Sequence, residues 1–286
     1  VRRGTVVGDL VTPESVLLDP TRRSPVALDF EVQLQRRVIG QSEAVAKTAQ
    51  VIQTVMAGFN PANRAAGILL LLGPTGTGKT HLVEAAAETL FGSPKAFFKV
   101  ACAEYQDSYQ TNRLLGAPPG YIGYVENRGD GLISQAKLDQ FQTPALKLNL
   151  VLFDEIEKAH DRLFDMLLNI LDKGELTTSN GERVDFTRSV IFLTSNLGAT
   201  RLGKSIGFSS TPGQATDRNN LNVIAAAVKA RFRPEFLNRL DHQVVFQSLQ
   251  PRHLQQILDL ELEGVRRRLH QATHHSKFLF ELTGAA

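Results

Sequence analysis

One stretch of eight residues has the composition and spacing of a phosphate-binding loop, Gly73-Pro74-Thr75-Gly76-Thr77-Gly78-Lys79-Thr80. An apolar run, residues 68–72, precedes it, and a helical pattern over residues 80–90 follows. The glycines let backbone N–H groups converge on the α- and β-phosphates, and the helix N-terminus adds partial positive charge. The pattern predicts that Lys79 reaches the β- and γ-phosphates of ATP and that the Thr80 hydroxyl binds Mg²⁺. A glycine-rich turn that binds nothing is the alternative, which the flanking strand and helix disfavour.

Two adjacent carboxylates, Asp154 and Glu155, come directly after a second apolar run, residues 148–153. Because parallel strands present their carboxyl ends at one edge of a sheet, we expect this pair beside the phosphate loop. There Asp154 would hold the Mg²⁺ shell, and Glu155 would orient and polarise the attacking water as general base. Alone, the pair also fits an acidic first turn of the helix predicted from Asp161. Its combination with the phosphate loop favours hydrolysis of Mg-ATP.

A third polar position follows the predicted strand at residues 189–194. Asn196 stands just after that strand, where a polar side chain can contact the γ-phosphate or the attacking water. Asparagine is also an ordinary turn residue, so position alone does not fix this role. Strands alternate with helices along the chain, which predicts an α/β fold with a parallel sheet.

The composition is that of a globular protein without a strong charge bias. The 286 residues are 42% hydrophobic and 21% charged, and 32 basic against 29 acidic residues leave a net charge of +3. Cys102 is the one cysteine, so no intrachain disulfide forms, and a reducing, cytoplasmic location is expected. We see no apolar run of membrane-spanning length and no signal peptide. Because the sequence begins at Val1, we expect the native N-terminus to be missing.

We divide the chain into three parts. Residues 1–30, with three prolines, are predicted to form an arm or linker; residues 31–249 form the large α/β domain; and residues 250–286 begin a small helical domain. A helix is predicted to start at Ser42 as N-cap. Residues 203–220 are rich in small and polar residues and are predicted to form an exposed loop.

Residues 116–124 form a glycine- and proline-rich segment that carries aromatic and aliphatic side chains. Tyr121 and Ile122 stand at its centre. They could grip a partner as an exposed loop, or they could fold back against the core.

Five motifs together carry a resemblance to a known family. These are the phosphate loop and residues 116–124, 151–160, 194–198 and 232–241. In their order, over about residues 31–260, the chain resembles the Clp family of AAA+ ATPases, in particular the second ATPase module of the ClpA, ClpB and ClpC type. The resemblance implies a three-layer α/β/α module with the start of a helical lid.

The resemblance also implies a role for each matching position. The phosphate loop is the Walker A motif, Asp154 and Glu155 are Walker B, and Asn196 is sensor 1. The remaining matches assign Val38 and Ile39 to the adenine, Tyr121 and Ile122 to a pore loop that grips a polypeptide, and Arg239 to an arginine finger on the neighbour's ATP, with Arg231 and Arg233 as nearby rivals. A finger acting in trans implies a ring of identical subunits, and the family expectation is six.

Two features qualify the resemblance. The chain stops before the element that carries the family's sensor 2 arginine, so we expect that element beyond residue 286. Residues 125–150 are longer than usual and lack the acidic, glycine-containing run that normally follows the pore loop.

A short tripeptide, Ile206-Gly207-Phe208, lies where ClpA- and ClpC-like proteins carry the loop that docks onto a ClpP-like peptidase. The alternative is a loop that tucks Phe208 into its own module.

The leading hypothesis is a protein unfoldase or remodelling chaperone driven by Mg-ATP. One alternative is a regulatory ATPase subunit that docks onto the peptidase. Another is a motor that remodels nucleic acid, which a pI near 9.0 allows but which the lack of a clear basic stripe disfavours. A scaffold that binds nucleotide without hydrolysis is disfavoured by Glu155. We expect no membrane partner.

Overall fold

The computed structural model describes residues 25–116, 131–198 and 214–272. Its helices are α1 (Pro25–Arg37), α2 (Ser42–Met56), α3 (Lys79–Phe91), α4 (Ser108–Leu115), α5 (Gln135–Asp139), α6 (Asp161–Lys173), α7 (Gln214–Arg231), α8 (Pro234–Leu237) and α9 (Pro251–Ala272). Its strands are β1 (Gly67–Leu72), β2 (Phe98–Ala101), β3 (Asn149–Asp154), β4 (Glu175–Thr177), β5 (Arg183–Asp185), β6 (Ser189–Ser195) and β7 (His242–Val245).

Five strands form one parallel sheet in the order β2-β3-β6-β1-β7. Strands β4 and β5 pair separately as an antiparallel hairpin. Every residue of β1 and β6 is buried, as expected for central strands covered on both faces. The predicted fold class is confirmed.

Alternate residues of the central strands enter two different hydrophobic cores. In β1, Ile68 and Leu70 pack into one core, together with the apolar side of α6. Leu69 and Leu71 pack into the other core, with α1, α2 and α3. Because successive strand side chains point to opposite faces, this alternation produces the three layers, helices on each side of one sheet.

The register of the sheet brings the candidate site residues to one edge. Leu72 of β1 pairs with Ser195 of β6, and Phe153 of β3 pairs with Leu193 of β6. The residues that follow these three central strands therefore emerge side by side.

Three boundaries differ from those expected. Residues 25–30 are the start of α1 and not the end of an arm, because Pro25 suits a first helical position and Phe30 and Leu34 are buried. Helix α2 is preceded by Gln41 as N-cap, and Ser42 is its first residue. Helix α7 starts at Gln214, so the final part of the predicted loop 203–220 is helical.

Tyr121, Ile122 and the tripeptide Ile206-Gly207-Phe208 lie outside the described residues. Within the described part of the chain, no helix is both long and apolar enough to cross a membrane.

Candidate active site

The phosphate loop leaves β1 at Gly73 and enters α3 at Lys79. Gly73, Gly76 and Gly78 have φ angles of 142°, 79° and 97°, which side chains rarely adopt. At Gly73 a Cβ atom would also stand 2.7 Å from the carbonyl oxygen of Phe246. All three glycines are therefore needed for the backbone path, and Gly73 is needed also for the close approach to the chain after β7.

Lys79 is buried, and its ammonium group donates three hydrogen bonds. Its Nζ atom donates to the carbonyl oxygens of Gly73 at 2.8 Å and Pro74 at 2.7 Å, and to the Asn196 side-chain oxygen at 2.8 Å. Burial lowers the pKa of Lys79, and the nearby carboxylates of Glu157, Asp154 and Glu155 oppose that shift. The ammonium thus stands between the phosphate loop and the end of β6.

Asp154 and Thr80 meet where a metal shell was predicted. The Thr80 hydroxyl lies 3.4 Å from Asp154 Oδ1, and the Thr194 hydroxyl donates to the same oxygen at 2.5 Å. The other oxygen, Oδ2, lies 2.7 Å from the ammonium of Lys99. Burial alone would raise the pKa of Asp154, but the contacts from Lys99, Thr194 and Thr80 outweigh it and lower the pKa below its ordinary value.

These groups fit Mg²⁺ held together with a nucleotide. They are a hydroxyl and a carboxylate, and Mg²⁺ prefers one or two such oxygen ligands completed by phosphates and water. Among the residues described, no group of three or more His, Cys, Asp or Glu side chains could hold a metal ion by itself. The donor set therefore suits a cation that arrives with ATP.

Glu155 has a strained backbone and a fixed side chain. With φ of 56° it is the one non-glycine residue of the described chain with a positive φ, a conformation that costs on the order of 1 kcal/mol. Its N–H donates to the Thr194 hydroxyl at 2.9 Å. Its carboxylate accepts from the Asn196 side-chain nitrogen at 3.1 Å and from the Lys158 ammonium at 2.7 Å. The carboxylate is thereby held toward Asn196.

These groups line one cleft of about 320 Å³. Its lining residues are Thr75, Gly76, Gly78, Lys79, Thr80, His81, Asp154, Glu155, Thr194 and Asn196. The cleft is thus lined by both hydrogen-bond donors and carboxylates. That arrangement suits a triphosphate chain with a cation and a water at its end.

A second cavity of about 750 Å³ adjoins the phosphate loop. Val38 and Ile39 line it together with Gly76 and with Leu254 and Ile257 of α9. Polar and charged side chains also line this cavity, and its aliphatic part beside the phosphate cleft suits a nucleobase.

Gln41 holds Thr77, one of the residues that line that cavity. Its amide nitrogen donates to the Thr77 carbonyl at 3.1 Å and the Gln247 carbonyl at 2.9 Å, and its oxygen accepts from the Gln247 N–H at 3.1 Å. This buried side chain ties α2 to the phosphate loop and to the chain after β7.

The structure does not bring Arg239 to this site. Arg239 precedes β7, which pairs with β1 from Leu69↔His242 onward, so it lies at the amino end of β1. The phosphate loop is at the carboxyl end, roughly 15–20 Å away along the strand. Arg239 Nε instead lies 2.7 Å from Asp172 Oδ1, at the end of α6.

The rival arginines behave differently from each other. Arg231 donates to the carbonyl oxygens of Glu157 and Ala159, each at 3.0 Å, and its guanidinium stacks 4.9 Å from the Phe164 ring centroid. Arg233 is 61% exposed and pairs loosely with Asp165 at 3.5 Å. Arg231 therefore has a structural role in its own subunit.

Sequence analysis missed Lys99, Gln41 and Lys158. It also assigned no role to Thr194. A usable signal for that residue existed, because Thr194 immediately precedes the Ser195-Asn196 pair at the end of a strand. Lys99 gave a weaker signal, a lone cation within a short strand. Its role depends on β2 lying next to β3, which the local sequence does not specify.

Comparisons with known proteins identify relatives of this chain. Residues 64–243 match the family model described as AAA domain (Cdc48 subfamily). The chain is 41% identical over 244 residues to chaperone protein ClpB 1 of Parasynechococcus marenigrum (strain WH8102), covering 85% of this chain and 27% of that protein. It is 38% identical over 261 residues to the negative regulator of genetic competence ClpC/MecB of Bacillus subtilis (strain 168), covering 91% and 31%. The chain thus spans about a third or less of these relatives.

A solved structure shares the fold. The extended conformation of the S. cerevisiae Hsp104:casein complex matches with a TM-score of 0.73 and 30% identity, over 87% of this chain and 41% of that one.

Proposed function

This chain belongs to the Clp family of AAA+ ATPases, and we propose that it is the motor module of an ATP-driven protein unfoldase or remodelling chaperone. The observation that carries the proposal is the meeting of Lys79, Asn196 and Glu155 at one edge of the sheet. A phosphate-binding cation, a polar bridge and a candidate base in contact are the parts that hydrolysis of a bound triphosphate needs.

The contacts support a role for each of these residues. The phosphate loop and Lys79 bind and orient the triphosphate, while Val38 and Ile39 face the adenine. Thr80 and Asp154 would hold Mg²⁺, which offsets the phosphate charge when bound. Glu155 accepts a proton from the attacking water, and Asn196, whose side-chain nitrogen lies 3.1 Å from that carboxylate, would keep it oriented.

Arg239 is the proposed arginine finger, and it would act on the ATP of a neighbouring subunit. Because it lies at the opposite edge of the sheet from its own phosphate loop, a direct role requires the ATP of a neighbouring subunit. A head-to-tail ring of identical subunits, six by family expectation, would place it there. Such a finger stabilises the charge that develops on the γ-phosphoryl group.

The substrate we propose is a polypeptide. Tyr121 and Ile122 would grip it in the central pore, which is a prediction from sequence because they lie outside the described residues. The solved Hsp104 relative was determined as a complex with casein, which supports this substrate class. Docking onto a ClpP-like peptidase through Ile206, Gly207 and Phe208 stays a separate prediction. We infer a cytoplasmic location from the single, buried thiol of Cys102.

The test uses the full-length protein that contains this chain. Its steady-state ATPase rate is measured alone, with a permanently unfolded protein and with single-stranded DNA. Stimulation by the unfolded protein only is the expected result, and stimulation by DNA only would replace the proposal with a nucleic-acid motor. Tyr121→Ala is expected to keep the basal rate and lose substrate unfolding. Tyr109→Ala, which removes a 78% exposed tyrosine of α4, is the matched control and should unfold substrate normally.

A further inference from the structure

Lys99 approaches the candidate metal shell from a neighbouring strand. It belongs to β2, at the edge of the sheet, and pairs in register with Leu152 of β3, two residues before Asp154. Its side chain extends along the strand until Nζ lies 2.7 Å from Asp154 Oδ2. The lysine side chain is 43% exposed and that of Asp154 is 19% exposed. Asp154 lines the cleft, whereas Lys99 lines a separate cavity on the other side of the carboxylate.

The two oxygens of Asp154 have different partners. Oδ1 accepts from the Thr194 hydroxyl and faces Thr80, the other predicted metal residue. Oδ2 faces the Lys99 ammonium. The carboxylate that is assigned to the Mg²⁺ shell therefore already forms an ion pair with a lysine of the protein.

A divalent cation near Asp154 experiences this ammonium as a like charge. Whether Mg²⁺ contacts the carboxylate directly or through water, it shares the same acceptor with Lys99, and like charges a few ångströms apart repel. Partial exposure screens the repulsion without removing it. We propose that Lys99 competes with Mg²⁺ for the Asp154 carboxylate and so sets the Mg²⁺ affinity of the nucleotide site.

Such a residue suits a motor that must release its product in every cycle. Thr80 and Asp154 would hold Mg²⁺ together with bound ADP, and a competing ammonium would favour release of both. The inference rests on the proposed role of Asp154. The alternative is that Lys99 only ties β2 to β3, in which case its removal changes stability and leaves cation affinity alone.

The experiment measures binding and does not depend on turnover. The affinity of the full-length protein for a fluorescent ADP analogue is measured in EDTA and then over a series of free Mg²⁺ concentrations. The Mg²⁺ concentration at half-maximal effect is compared among wild type, Lys99→Met and Lys99→Arg. The exposed Lys95, four residues earlier in the chain, provides the control variant Lys95→Met.

We expect Lys99→Met to lower the half-maximal Mg²⁺ concentration about fivefold, with Lys99→Arg and Lys95→Met close to wild type. An unchanged or higher value in Lys99→Met would overturn the inference. Asp154→Asn distinguishes a failure of the metal role of Asp154 from a failure of the role of Lys99. If Asp154→Asn shifts the Mg²⁺ dependence but Lys99→Met does not, only the inference on Lys99 fails. If Asp154→Asn has no effect, the metal assignment fails and the inference falls with it. Lys99→Gln replaces Lys99→Met if melting curves show that the methionine variant is unfolded.

Discussion

The ammonium of Lys79 donates a 2.8 Å hydrogen bond to the side-chain oxygen of Asn196, 117 positions later in the chain. The two residues follow β1 and β6, which pair in register up to Leu72↔Ser195. The nitrogen of the same amide donates to Glu155 at 3.1 Å. A single side chain thus contacts both the phosphate-binding cation and the candidate base.

This position predicts a selective defect for Asn196→Ala. The variant loses the contact that directs Glu155, while Lys79 keeps two carbonyl partners in the phosphate loop. We expect kcat to fall about 100-fold with little change in ATP affinity, measured by steady-state turnover and by equilibrium binding. Asn169→Ala, on α6 and remote from the cleft, is the control. A variant that binds ATP poorly but turns over normally would contradict this role.

Arg239→Ala is predicted to slow ATP hydrolysis at the site of the neighbouring subunit. We expect a fall in kcat of about 10³-fold with ATP binding retained, because the finger acts only on the transferring phosphoryl group. Arg233→Ala, the exposed rival, should keep its rate.

Mixed rings test the same prediction directly. Glu155→Gln subunits retain a finger, so adding them to Arg239→Ala subunits should restore part of the turnover. Absence of any restoration in stable mixed rings would argue against a finger supplied by the neighbour.

Gly73→Ala is predicted to destabilise the fold. The added Cβ would stand 2.7 Å from the Phe246 carbonyl oxygen, in a backbone with φ of 142°. We expect the free energy of unfolding to fall by about 3 kcal/mol in denaturant titrations. Gly58→Ala is the control, since that glycine has φ of 78° and nothing within 4 Å of an added Cβ; its expected cost is about 1 kcal/mol. Equal losses in the two variants would show that the contact with Phe246 is unimportant.

The sheet and the phosphate loop could be predicted because their signals are local. Residues 68–72 are apolar without interruption since β1 is covered on both faces, and the glycine spacing directly reflects the backbone path. The acidic pair could be placed beside the loop because parallel strands end at one edge.

Other features depend on tertiary contacts. The order of strands in the sheet puts β2 beside β3, and only this neighbourhood makes Lys99 a partner of Asp154. Gln41 precedes α2 because its amide binds the phosphate loop, a choice that helix-capping preferences do not reveal. Residues 25–30 resembled a linker by their proline, yet Phe30 belongs to a core.

The most direct test of the central claim is single-turnover hydrolysis by Glu155→Gln in the full-length protein. Glutamine keeps the size of the side chain and removes its ability to accept the proton from water. We predict that the variant binds ATP as tightly as wild type and hydrolyses it at least about 100-fold more slowly. Hydrolysis at the wild-type rate would show that Glu155 is not the general base and that other residues of the site activate the water.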